Sequence, residues 1–162
     1  MGKNIRVLEI EEVRKSKVRI LVVDNFELWQ RFVTDSVKNQ SDLEIIGIAS
    51  DGVEGVQKAE ELKPDIILLD IGLPKLNGME AARQIRKLSP RSKILFSSSH
   101  SDQCAVEAAF SVGGSGYLVK SDAAANLLPG IKAVAQGKQF VSSNLSEASE
   151  AICSAYATAS QA

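Results

Sequence analysis

The 162-residue chain lacks several features that would assign it to common functional classes. It has no apolar run of the roughly 20 residues that a membrane-spanning helix needs, and its first residues lack the apolar core of a secretory signal. The net charge is -1, so the sequence has no overall basic character for binding nucleic acid. These absences favour a cytoplasmic protein that does not span a membrane and does not itself bind nucleic acid.

Cysteine and histidine are also scarce. The two cysteines, Cys104 and Cys153, have neither metal-site nor redox spacing, which predicts reduced, incidental thiols. His100 is the only histidine, and only one predicted strand ends in lysine. No catalytic triad can therefore be assembled from this sequence.

What the sequence does contain is a regular alternation of two kinds of segment. Short runs rich in Ile, Val and Leu alternate with longer segments of helical period, and the runs cover 18–23, 44–49, 65–69, 93–97 and 116–119. The run "DIILLD" is apolar on both faces, which is typical of a strand buried between helix layers in a parallel sheet. Five strand–helix repeats predict an α/β fold with right-handed crossovers and an open, doubly wound sheet.

The apolar stripes of the helical segments set the boundaries of the predicted domain. The fifth stripe runs through Leu127 and Ile131 and continues past Pro129, so we predict a helix there despite the proline. Residues 1–17 are predicted to be an N-terminal extension and 18–140 the folded domain. Residues 141–162 are rich in Ser and Ala, which predicts a loose or weakly helical tail.

Polar residues follow four of the five predicted strands. The first ends in Asp24-Asn25, the third in Asp70, the fourth in a serine cluster and the fifth in Lys120. Ligands of such sheets bind outside the carboxyl ends of the strands, so these side chains are expected to meet. Carboxylate and amide oxygens suit Mg²⁺, a lysine and a hydroxyl suit phosphoryl oxygens, and an aspartate between them can be the nucleophile that forms an aspartyl-phosphate.

Four segments carry a family resemblance: "ILVVDN", "PDIILLDIGLPKLNGMEAARQIR", "KILFSSS" and "GSGYLVKSDAAANLLPGIKAVAQGKQFVS". Together, from about Val18 to Gln139, they resemble a response-regulator receiver domain of the CheY-like kind. The last segment is similar in particular to receivers that precede LuxR/NarL-type DNA-binding domains. The resemblance implies a flavodoxin-like (βα)5 fold with a five-stranded parallel sheet in the order 2-1-3-4-5.

The resemblance also implies roles for individual residues around a phosphoryl group. Asp70 matches the phospho-acceptor, and Lys120 matches the lysine that contacts the acyl phosphate. The family's hydroxyl residue matches Ser98, which lies 22 residues before Lys120, or Ser97 if the strand is shifted by one residue. Tyr117 matches the switch aromatic that moves inward when the hydroxyl swings toward the phosphate.

For the metal, the resemblance implies Mg²⁺ held by Asp24, Asn25, Asp70 and the backbone carbonyl of Gly72. Asn25 departs from the family, which usually has a second acid there, so weaker metal affinity and slower phosphorylation are expected. His100 is interpreted either as an exposed loop residue or, together with Gly72, as a residue that sets water access and the lifetime of the phosphate.

Several functions follow from the resemblance. The first is a two-component receiver that accepts a phosphoryl group from a sensor histidine kinase, catalyses only its own phosphorylation and dephosphorylation, and then switches partner binding. The alternatives are a pseudo-receiver that acts through binding alone and the receiver fragment of a DNA-binding transcriptional regulator. The resemblance also implies that the chain can form a homodimer through the surface of the fourth and fifth helices. A phosphatase that uses an aspartate nucleophile is disfavoured, because it needs a general acid two residues after the nucleophile and Gly72 occupies that position. A flavin carrier is disfavoured because it needs a phosphate-binding loop after the first strand, where "DNFELW" is acidic and bulky.

Overall fold

The structure, a computed structural model, describes residues 16–142. The predicted N-terminal extension lies outside the described residues except for its last two positions, and the predicted tail does so from residue 143 onward. The elements run β1 (Val18–Val23), α1 (Glu27–Lys38), β2 (Leu43–Ala49), α2 (Gly52–Leu62), β3 (Ile66–Asp70), α3 (Gly78–Leu88), β4 (Lys93–Ser98), α4 (Gln103–Ser111), β5 (Gly116–Val119), a 3-10 turn (Lys120–Asp122), α5 (Ala123–Ala135) and β6 (Phe140–Val141).

The strands form one parallel sheet in the order β2-β1-β3-β4-β5-β6. The five predicted strands are all present and in the predicted order, so the predicted fold is confirmed. Every residue of β3 is buried, as expected for a strand covered by helices on both sides. Helix α5 continues through Pro129, also as predicted.

The sixth strand was not predicted. Phe140 and Val141 pair in parallel with Gly116 and Tyr117 of β5. Ser142 then donates its backbone N–H to the carbonyl of Tyr117 over 3.0 Å. Val141, which was assigned to the tail, therefore belongs to the sheet, and Ser142 is hydrogen-bonded to its edge, because this edge of β5 offers backbone partners that a sequence pattern does not reveal.

Helices cover both faces of the sheet. One face packs against α1 and α5 through a core that includes Trp29, Val33, Leu127 and Ile131. The other face packs against α2, α3 and α4. Three helices begin at an aspartate or asparagine whose side chain accepts the N–H three residues later, which satisfies a helix-end donor; these are Asp51, Asn77 and Asp102.

Gly78 brings the start of α3 directly against the end of β3. A Cβ atom at this position would lie 2.1 Å from the carbonyl oxygen of Asp70, so only glycine permits this approach. The N–H of Gly78 also donates to the carbonyl of Ile71 over 2.8 Å. The close packing fixes the backbone of Asp70 at the edge of the sheet.

Two further findings concern earlier expectations. Among residues 16–142, no helix is long and apolar enough to cross a membrane.

Cys104 in α4 is disulfide-bonded, so the prediction of a reduced thiol is wrong for this residue. Sequence spacing could not reveal this, because disulfide pairing depends on which residues the fold brings together.

Candidate functional site

The carboxyl ends of four strands meet around one cavity of about 800 Å³. The structure brings to this cavity most of the residues that the sequence indicated: Asp24, Asn25, Asp70, Gly72, Ser98, His100 and Lys120. They come from β1, β3 and β4, from the loops that follow these strands, and from the end of β5. Two of the indicated residues, Ser97 and Tyr117, do not line the cavity.

Lys120 joins the two aspartates at the centre of the site. Its ammonium nitrogen lies 2.7 Å from Asp24 Oδ2 and 3.5 Å from Asp70 Oδ1. Asp24 is fully buried, and its second oxygen accepts the backbone N–H of Phe26 over 2.8 Å. Both oxygens of this buried carboxylate therefore have a partner, as a charge removed from water requires.

The two carboxylates carry more negative charge than Lys120 balances. Burial, and after it repulsion from Asp24, raises the pKa of Asp70 above its ordinary value, while attraction to Lys120 opposes this shift. An acid whose ionised form is disfavoured in this way gains from a nearby cation. The electrostatics of the site are thus suited to a divalent metal ion.

The donor atoms at the edge of the cavity also fit Mg²⁺. Two carboxylates, the amide oxygen of Asn25 and the carbonyl of Gly72 are hard oxygen ligands, and Mg²⁺ retains waters in its other positions. Gly72 lines the cavity, and a Cβ atom at this position would meet nothing within 4 Å. Within residues 16–142 no three His, Cys, Asp or Glu side chains are grouped as a metal site.

Strand geometry shows which of the two serines faces the cavity. Ser98 lines the cavity, and its Oγ accepts the backbone N–H of His100 over 3.1 Å. Ser97 pairs with Asp70 in the sheet but is fully buried, and its hydroxyl has no hydrogen-bond partner among the described residues. Because side chains alternate along a strand, only one of the two can face the cavity, and it is Ser98.

Tyr117 lies in the core and reaches the site indirectly. Its ring is fully buried, and its hydroxyl donates to the backbone carbonyl of His100 over 2.8 Å. The His100 side chain itself is exposed at the mouth of the cavity. Ser98 and Tyr117 therefore hold the two sides of the same peptide segment, one through its N–H and the other through its C=O.

The sequence interpretation missed an apolar wall on the α1 side of the cavity. Phe26, Leu28, Trp29 and Phe32 form this wall. Phe26 and Leu28 are 58% and 65% exposed, although both are large and apolar. The pattern of α1 indicated only that Trp29 and Phe32 share a face. The one signal for the rest of the wall was that Phe26 and Leu28, although apolar, lie off the core face.

Trp29 also contacts the charged part of the site. The Lys120 ammonium nitrogen lies 5.1 Å from the centroid of the Trp29 ring, within the range of a cation–π interaction. The indole is buried, and its Nε1 has no hydrogen-bond partner among the described residues. Lys120 is thus held by two carboxylates on one side and an aromatic ring on the other.

Comparisons with known proteins agree with this geometry. The sequence matches the family model of the response regulator receiver domain over residues 20–132. It is 34% identical over 131 residues to the transcriptional regulatory protein DegU of Brevibacillus brevis, covering 81% of this chain and 56% of DegU. It is also 34% identical over 128 residues to LiaR of Bacillus subtilis, covering 79% of this chain and 61% of LiaR. The chain thus spans somewhat less than two thirds of the length of these curated relatives.

A solved structure shows the same fold. The two-component response regulator of the LuxR family from Aurantimonas sp. SI85-9A1 superposes with a TM-score of 0.73 at 27% sequence identity, covering 91% of this chain and all of that one. The receiver domain of NarL from Mycobacterium tuberculosis gives a TM-score of 0.72 at 25% identity, covering 76% of this chain and 99% of that one.

Proposed function

The chain belongs to the response regulator receiver domain family of two-component signalling proteins, and we propose that it is switched by a phosphoryl group accepted on Asp70. Receivers of such regulators take their signals from histidine kinases, and the proposed donor here is a kinase phosphohistidine. The observation that carries the proposal is the position of Asp70, at the floor of the cavity with the Lys120 ammonium 3.5 Å from its carboxylate.

The proposed reaction uses three side chains of this chain. An Asp70 oxygen attacks phosphorus as the bond from phosphorus to the imidazole nitrogen breaks, and the imidazole leaves. Lys120 moves its ammonium group from Asp24 onto the phosphoryl oxygens, and Ser98 turns its hydroxyl toward them. Mg²⁺ held by Asp24, Asp70, Asn25 and the Gly72 carbonyl would neutralise charge on the transferring oxygens.

The proposed switch follows from the contacts around His100. When Ser98 turns toward the phosphoryl group, the N–H of His100 loses its acceptor, while Tyr117 still holds the carbonyl of that residue. The segment between β4 and α4 is then stabilised in a different arrangement, and the surface of α4, β5 and α5 changes with it. A phosphoryl group can drive this change because it contacts the two arrangements differently.

Partners and output are proposals of the same kind. The names of DegU and LiaR describe transcriptional regulation, and this chain spans only part of their length. We infer that the receiver controls a transcriptional output in the cytoplasm, through a homodimer formed by the surface of α4 and α5. In this proposal the chain catalyses only the phosphorylation and dephosphorylation of its own Asp70. Gly72 and His100 flank the phosphoryl position and set how fast water hydrolyses the aspartyl-phosphate.

The test is phosphorylation by acetyl phosphate, followed by the mass of the intact protein with and without millimolar Mg²⁺. One phosphoryl group is expected on the wild-type chain, only in the presence of Mg²⁺. Asp70→Asn should take up none. Asp35→Asn changes an exposed aspartate on α1 in the same way and should behave as the wild type.

A second function is favoured by one observation. Asn25 stands at the cavity edge where the family usually has an acid, and it supplies no charge to a metal. If the wild-type chain takes up no phosphoryl group and binds no beryllofluoride at millimolar Mg²⁺, it is a pseudo-receiver. It would then act through its α4–β5–α5 surface without phosphorylation.

A further inference from the structure

We propose that the site accepts phosphoryl groups from small acyl phosphates with an apolar chain, in preference to acetyl phosphate. This inference rests on the proposed function, because it names a donor class for the same aspartate. The apolar wall of Phe26, Leu28, Trp29 and Phe32 is the feature that selects the chain.

The size and composition of the cavity support this assignment. Its volume of about 800 Å³ is in the range of roughly 300 to 1,000 Å³ that small-molecule sites occupy, far more than a phosphoryl group needs. Asp70, Lys120 and Ser98 line this cavity together with the apolar wall, and Trp29 of the wall lies 5.1 Å from the Lys120 ammonium nitrogen. Polar groups next to apolar surface match a molecule with a phosphoryl head and a hydrocarbon body.

The direction of the reaction places the leaving group on the apolar side. Asp70 is only 8% exposed, so it attacks from the floor of the cavity. In an in-line transfer the leaving group departs opposite the attacking oxygen, which here is toward the cavity mouth. The most exposed wall residues, Phe26 and Leu28, are the ones expected at that mouth.

The side chains opposite the wall leave room for such a group. Ala123 and Ala124, at the start of α5, also line the cavity, and neither carries a polar side-chain atom. A leaving group between α1 and α5 would therefore meet these two alanines and the apolar wall, with Ser121 as a polar neighbour. Longer alkyl chains bury more of that surface and should bind better.

The transfer itself is balanced. An Asp70 carboxylate oxygen forms a bond to phosphorus, and the bond from phosphorus to the acyl oxygen breaks. The acyl group leaves as a carboxylate with the electron pair of that bond. The dianionic donor and the aspartate anion become a dianionic aspartyl-phosphate and a carboxylate anion, with no proton taken up and no oxidant required.

The experiment compares acetyl, propionyl and butyryl phosphate with the wild-type chain at fixed Mg²⁺, since their leaving carboxylates have nearly equal basicity. A fully buried CH₂ group is worth about fourfold in affinity, so we expect butyryl phosphate to phosphorylate Asp70 roughly ten times faster than acetyl phosphate at low concentration. Butylphosphonate should likewise inhibit the acetyl phosphate reaction at lower concentration than methylphosphonate.

Two variants locate the effect. Leu28→Ala and Phe26→Ala remove exposed side chains, so they should fold, and each should lower the ratio of the butyryl phosphate rate to the acetyl phosphate rate severalfold. Leu88→Ala is the matched control, because Leu88 is also an exposed apolar residue (37%) and ends α3 at the opposite edge of the sheet.

The outcomes distinguish the inferred donor preference from the proposed phosphorylation of Asp70. Equal rate constants for the three donors, or a butyryl preference that survives both wall substitutions, would overturn the inference and leave phosphorylation of Asp70 intact. A chain that no donor phosphorylates would overturn both proposals.

Discussion

The Lys120 ammonium group lies over the ring of Trp29, 5.1 Å from its centroid, while it also contacts Asp24 at 2.7 Å. Trp29 is the only tryptophan in the chain. One side chain therefore joins α1 to the charged centre of the site, and any movement of Lys120 changes the surroundings of the single indole. This contact makes the state of the site observable without a label.

The first prediction uses this contact. Beryllofluoride with Mg²⁺ should change the intrinsic fluorescence of Trp29, because Lys120 moves from Asp24 toward the new oxygen or fluorine ligands at Asp70. The change should saturate with ligand and give its affinity. Asp70→Asn should show no change. A fluorescence signal that stays flat while the intact mass shows phosphorylation would mean that Lys120 does not move from the ring.

The second prediction concerns the amide at the edge of the site. Asn25→Asp should tighten Mg²⁺ binding by about tenfold, because it adds a formal charge among the metal ligands at a position partly screened by water. Titration of Trp29 fluorescence with Mg²⁺ measures the effect. The phosphorylation rates of the two proteins should converge once Mg²⁺ is saturating.

A matched control distinguishes the effect of a charge at residue 25 from the effect of the overall charge of the chain. Gln57→Glu adds the same charge on the exposed face of α2 and should leave Mg²⁺ affinity unchanged. If both variants tighten Mg²⁺ equally, the gain comes from the overall charge of the chain and Asn25 is not a ligand.

The third prediction follows from the raised pKa of Asp70, which burial and the neighbouring Asp24 produce. The folded state binds a proton at Asp70 more readily than the unfolded state does, so the ionised carboxylate opposes folding at neutral pH. Asp70→Asn should therefore increase the free energy of unfolding at pH 7. This advantage should shrink as the pH falls and vanish below about 3.9, the ordinary pKa of aspartate.

Denaturant unfolding between pH 7 and pH 3.5 tests this directly, with Asp35→Asn as the exposed control. The control should show no difference from the wild type that depends on pH in this way. An Asp70→Asn variant that is less stable than the wild type at pH 7 would show that the attraction to Lys120 outweighs burial.

The fourth prediction concerns the hydroxyl of Tyr117. Tyr117→Phe removes the hydrogen bond to the His100 carbonyl while it keeps the buried ring, and it should cost about 1 kcal/mol of stability. The loss should be local, so amide hydrogen exchange should accelerate between β4 and α4 more than in β3. Uniform acceleration across the sheet would show that the bond supports the whole fold and not this segment in particular.

Much of the site could be read from the sequence, and the reason is geometric. Parallel strands deliver their carboxyl ends to one edge, so Asp24, Asp70 and Lys120 had to meet once the strands were recognised. The spacing to Lys120 also favoured Ser98, and strand alternation places that residue in the cavity. In each case a local pattern determines where the residue lies.

The features that were missed depend on contacts between distant segments. Strand β6 exists because the edge of β5 was open, and the two residues of the strand carry no pattern of their own. The contact between Trp29 and Lys120 joins residues 91 positions apart. Neither feature follows from periodicity along one element.

The last prediction concerns Ser142, which follows β6. Its Oγ accepts the backbone N–H of Val119 over 2.8 Å, and both residues are buried. Ser142→Ala would leave that N–H without a partner, at a cost of about 1 to 3 kcal/mol, measured by denaturant unfolding. Ser36→Ala is the control, because its hydroxyl donates only to the Phe32 carbonyl within α1 and its loss should cost less than about 0.5 kcal/mol. Since Val119 directly precedes Lys120, Ser142→Ala should also alter Trp29 fluorescence before any ligand is added. If Ser142→Ala and Ser36→Ala lose the same amount of stability, the segment after β6 does not support this end of β5.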